Sequence, residues 1–95
     1  MTVEYLRYAV PADRQADFIR DYTAAREPLL QSPYAREFEM CQCIEDPSQF
    51  ILRILWTSAE DHLQKFRASP EFRAFFGHIR PYLGMIVEMR HYEPR

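Results

Sequence analysis

The sequence predicts an α+β protein of the ferredoxin-like type, a β-α-β-β-α-β chain whose strands form one antiparallel sheet with the helices on one face. Two observations carry this. Hydrophobic residues recur with period 2 in four segments and with period 3.6 in two, in that order along the chain. Prolines and short polar turns separate the segments, with no linkers, repeats or low-complexity stretches between them.

Residues 2–10, TVEYLRYAV, form the first strand, with Leu6, Tyr8 and Val10 on one side and Val3, Tyr5 and Arg7 on the other. Pro11 then opens a helix, because a first-turn position does not need its N–H. Phe18, Tyr22, Ala25 and Leu29 make the buried stripe of that helix, and Pro28 and Pro33 end or kink it. REFEMCQCIE alternates again, setting Phe38, Met40 and Ile44 against Glu37, Glu39, Cys41, Cys43 and Glu45. DPSQ is a turn, and FILRILWT returns as its hairpin partner. At Ser58 the period changes to 3.6, and Ser58 with Asp61 resembles a capping box. Ala59, His62 or Leu63, and Phe66 form the stripe of this helix. Ser69 and Pro70 restart a second helical stretch carrying Phe72, Phe75, Phe76 and Ile79, and Pro81 stops it. YLGMIVEMRHYE closes the sheet, with Met85, Val87, Met89 and His91 alternating against Ile86, Glu88, Arg90 and Tyr92.

Ninety-five residues make one domain, residues 1–95. A monomer of this size buries only about 60 to 65% of its unfolded surface. Several strands also carry large residues on both faces, so a homodimer that covers the second sheet face is expected. The net charge of −2 argues against nucleic acid or an anionic membrane as partner. Runs such as ILRILW are too short to span a bilayer and the N-terminus lacks a secretory hydrophobic region, so a cytoplasmic location is expected. Both cysteines fall in CQC and are read as reduced strand residues; vicinal thiols at that spacing rarely make a relaxed disulfide. Arg7, Arg53 and Arg90 are expected to pair across strands with Glu37, Glu39 or Glu88.

The segment LWTSAEDHLQKFRASPEFRAFF, a strand ending in Trp followed by a Ser cap and an SPxF step into a helix, resembles the antibiotic biosynthesis monooxygenase family of dimeric α+β barrel proteins. The likeness covers the whole chain in length and element order and is strongest over residues 52–76. It extends to small quinol monooxygenases and to domains of the family joined to truncated haemoglobins, which implies a redox or globin partner. What the resemblance implies is oxidation of a small aromatic quinol or phenolic substrate by O2 without a cofactor. Haem-degrading relatives are similar in layout, but the places of their first-strand Asn, helix Trp and last-helix His are held here by Leu6, Phe66 and Phe76, which neither donate hydrogen bonds nor ligate iron. Quinol oxidisers often carry a His where Phe66 stands, and this chain is one residue longer between Trp56 and Ser69.

Cofactor-free chemistry needs a base to deprotonate the substrate, a partner for its anion and an apolar wall against water. His62 and Phe66 are i and i+4 on one helix and share a face, which makes His62 the candidate base. Tyr8, on the strand face of Leu6, is the candidate orienting hydroxyl. Leu6, Trp56, Phe66, Phe72 and Phe76 are the candidate substrate walls, although each also reads as ordinary core. His78 lies off the helix stripe and His91 on the last strand, so no three metal ligands are expected to converge, and neither metal nor cofactor is expected. Two other readings share the fold: a non-enzymatic binding or partner module with a solid core, and an isomerase or lyase using the same base.

Overall fold

The computed structural model describes residues 1–95. Strands β1 (Thr2–Ala9), β2 (Ala35–Gln42), β3 (Gln49–Trp56) and β4 (Ile86–Tyr92) form one antiparallel sheet in the order β2-β3-β1-β4. Helices α1 (Gln15–Gln31) and α2 (Pro70–Ile79) pack side by side on one face. The ferredoxin-like order read from the periodicities is the order observed.

The core forms where strand and helix periodicities meet. Leu6, Tyr8 and Val10 of the first segment and Phe50, Leu52, Ile54 and Trp56 of β3 point at the helices and are buried. Phe18, Tyr22, Ala25 and Leu29, one stripe of α1, close over them. Phe18 lies at the centre of an aromatic cluster, with ring centroids 5.2 Å from Tyr8, 4.8 Å from Phe50 and 5.3 Å from Tyr82.

Several local details depart from the sequence expectation. A single 3-10 turn, Ala12–Arg14, follows Pro11 before α1 begins. α1 continues through Pro28 to Gln31, with Pro28 forgoing the one ladder bond its missing N–H would make. β2 stops at Gln42, leaving Ile44 almost fully exposed beyond the sheet and Cys43 outside the strand. Met85 ends a 3-10 turn, Arg80–Met85, and does not open β4. The register of β4 slips at Val87: Glu88 pairs with Arg7, yet Ile86 pairs with Tyr8. This β-bulge turns Ile86 to the helix side together with Met89 and His91, which strict alternation had put on the opposite side from it.

The segment after β3 is not a plain α-helix. Asp61–Phe66 is wound as a π-helical turn, in which the Arg67 amide reaches the His62 carbonyl at 3.3 Å. Its entry is capped by Ser58, whose hydroxyl accepts from the Asp61 amide at 2.9 Å. The Asp61 carboxylate instead accepts from Thr57 and Lys65, so the capping box is half formed. The exit is capped by Ser69, which accepts from the Phe72 amide at 3.2 Å and donates to the Phe66 carbonyl at 2.5 Å, with Pro70 in the first turn of α2.

The other sheet face carries Tyr5, Ile51 and Tyr92, all substantially exposed, among charged residues. Arg53 spans to Glu37 and Glu39, each at 3.4 Å, which is the cross-strand pairing expected for it. Arg7 instead donates to Gln49 at 3.3 Å, and Arg90 lies 4.0 Å from Glu88 on its own strand.

Candidate functional site

A cavity of about 230 Å³ lies between the inner sheet face and the helical segment 61–83. Leu6 and Trp56 form part of its sheet wall, and Phe66, Phe72 and Phe76 line the opposite side with His62. The structure therefore gathers six of the seven sequence candidates around one space. They meet because the π turn directs His62 and Phe66 inward while Leu63 stays exposed, and because the Ser69–Pro70 cap fixes where α2 starts.

Tyr8 is the exception, and its expected place beside the substrate is corrected. Two residues along a strand move a side chain by about 7 Å, which carries Tyr8 past the cavity and under α1. There it is fully buried and its hydroxyl bonds that of Tyr22. Burial pushes both phenols well above their ordinary range, so neither ionises near neutral pH.

Glu4 is the residue that sequence reasoning missed. It lines the cavity, is 3% exposed, and accepts a hydrogen bond from the Trp56 indole N–H at 3.0 Å. Its carboxylate lies 3.6 Å from His62 Nε2. On the far side of the same ring, His62 Nδ1 is 2.8 Å from Nε2 of His91, which β4 presents on the helix side two residues beyond Met89. Trp56 also stacks on His62, with centroids 4.3 Å apart and planes within 11°. One indole thus fixes the plane of the imidazole and anchors the carboxylate beside it. The expectation that no three ligating groups converge is overturned: Glu4, His62 and His91 each offer an atom within 4.8 Å of the others.

Desolvation governs the charges of this cluster. Burial raises Glu4 to about 7, against the lowering effects of its Trp56 hydrogen bond and the Arg67 charge. Burial lowers His62 to about 3, assisted by the positive charges of Arg67 and His91. His91 is also lowered, first by burial and then by Arg67. At neutral pH both imidazoles are neutral, and Glu4 is the group balanced between its two forms. A larger cavity, about 310 Å³, opens between α1 and β2, but its charged residues, Arg26 and Glu39, are exposed and it holds no buried acid–base pair.

A four-stranded antiparallel sheet with helices on one face and a walled apolar pocket beneath them defines a ferredoxin-like α+β protein with an internal site. More particularly, the chain belongs to the antibiotic biosynthesis monooxygenase family, whose model matches residues 1–77. Solved structures with the same fold include a proposed antibiotic biosynthesis monooxygenase from Bordetella bronchiseptica, at 21% identity over 99% of this chain and 96% of that one with a TM-score of 0.79. The chain is also similar to SnoaB, a cofactor-independent oxygenase from Streptomyces nogalater, at 15% identity over 99% and 92% with a TM-score of 0.79. A conserved protein from Methanosarcina mazei matches at 16% over 99% and 92%, with a TM-score of 0.80. No curated protein matches the sequence.

Proposed function

We propose that the protein is a cofactor-independent monooxygenase that oxidises a one- or two-ring quinol or phenol in this cavity. One observation carries the reading: a buried carboxylate–imidazole pair, Glu4 and His62, forms the polar corner of an otherwise aromatic pocket. The family supports oxygenase chemistry, and a cavity beside His62 supports a ligand-taking protein over a solid-cored module. A volume of about 230 Å³ falls below the usual 300–1,000 Å³ of ligand pockets, which favours small substrates over extended polyketides.

In this reading the base is the Glu4–His62 pair and not His62 alone. A group near pH 7 takes a phenolic proton more readily than an imidazole lowered to about 3. The resulting anion gives its electrons to O2; one oxygen atom joins a ring carbon, the other leaves as water, and the substrate supplies all four electrons. Trp56, Phe66 and Phe76 hold the ring and keep bulk water out. The functional unit is a homodimer joined through the open sheet face.

The test is oxygen uptake by chelator-treated protein with a panel of hydroquinones and naphthoquinols, corrected for autoxidation. Uptake proportional to protein is expected, rising with pH through about 7 as Glu4 loses its proton. Glu4→Gln and His62→Ala should each lower turnover by about 10²-fold or more. Uptake unchanged in both variants removes the pair from the mechanism. Product formed without incorporation of labelled oxygen identifies an isomerase or lyase instead.

A further inference from the structure

The same cluster has a second chemical capability. Glu4 from β1, His62 from the π turn and His91 from β4 supply one carboxylate oxygen and two imidazole nitrogens from three separate elements. We infer that these three residues form a binding site for a divalent first-row transition-metal ion, such as zinc, cobalt or iron(II). A donor set of two nitrogens and one oxygen suits those ions over calcium or magnesium. Three protein ligands also leave at least one coordination position open, and the aromatic cavity borders the cluster.

Geometry and support agree with this assignment. Ligands at 2.0–2.2 Å from a common ion stand about 3 to 3.5 Å apart. The 2.8 Å and 3.6 Å contacts engage opposite nitrogens of His62, so one ion takes only one of them; with a single donor atom from each residue the set lies within 4.8 Å, and the ion has to draw its widest pair in by about 1.5 Å. Trp56 plays the part that outer residues play in metal sites, donating to the Glu4 carboxylate and stacking on His62. Arg67, which borders the cavity, is the positive charge that opposes the ion, and Glu4 is the negative charge that offsets it.

Binding stands on geometry alone. A further consequence rests on the oxygenase reading above: ion and proton compete for the same lone pairs, so zinc stops turnover by occupying the base.

The experiment titrates chelator-treated protein with Co2+, followed by visible absorption, and with Zn2+, followed by calorimetry. One ion per chain is expected, with d–d bands of a nitrogen–oxygen site. His91→Gln and Glu4→Gln should each weaken binding at least 10-fold; His91 is half-buried, so its variant should fold. Trp56→Phe, which keeps all three ligands, should weaken binding by about 10-fold, and a Cys41→Ser/Cys43→Ser double variant should bind as the parent does. No binding, binding unaffected by His91→Gln in folded protein, or a thiolate-to-cobalt charge-transfer band would overturn the assignment. Zinc binding without oxygen uptake by the metal-free protein keeps the metal site and discards the oxygenase.

Discussion

Glu4 withholds stability from the fold, and the sign can be worked out. Burial raises its pKa from 4.5 to about 7, so the native chain holds the proton more tightly than the unfolded chain. Below pH 4.5 both states are protonated and nothing is lost. As pH rises from 4.5 to about 7 the unfolded chain releases its proton first, and the native state loses ground by about 3 kcal/mol. Glu4→Gln should therefore match the parent at pH 4 and exceed it by up to about 3 kcal/mol at pH 8 in urea unfolding. Equal stabilities at both values would mean that the carboxylate is not desolvated. His62 acts in the opposite direction: its contribution is complete above pH 6.5 and is lost as pH falls toward 3. Strand parity alone could have found Glu4, which stands two residues before Leu6 on the inward face. Its charge made it read as a surface residue, and only the Trp56 indole, distant in sequence, explains its place inside.

The π turn is the element that aims the site. Hydrophobic spacing at i and i+4 is satisfied by π and α winding alike, so the sequence showed that His62 and Phe66 share a face but not how the turn is wound. The turn over Asp61–Phe66 is one residue wider than α. Deleting exposed Gln64 should restore α spacing and rotate His62 by about 100° relative to α2. The expected variant melts cooperatively with an unchanged circular dichroism spectrum in the strand region, yet loses both oxygen uptake and cobalt binding. Retention of both would show that the π winding does not aim His62. The bulge in β4 was hidden for a related reason, since alternation read from sequence assumes an unbroken register, and the slip at Val87 changes the side of Ile86.

At the scale of the whole molecule, element order was legible because each segment carries its own period, and the order of periods leaves one economical topology. Surplus apolar surface is the one sign in the sequence that a second copy would bind. The open face, with Tyr5 packed edge-on against Tyr92 at 5.5 Å and Ile51 close by on β3, is where a second copy is expected to sit. Sedimentation should give a dimer at micromolar concentration, and Ile51→Lys should shift it to monomer with the fold intact. A monomeric parent would leave the open face as plain solvated sheet. A different consequence follows from the chain having a single Trp, stacked on His62 at the edge of the cavity. All indole fluorescence of the molecule originates there. Whatever enters the cavity, an ion, a proton or an aromatic ring, alters the emission of that one fluorophore, so the protein carries its own optical gauge of occupancy and needs no label.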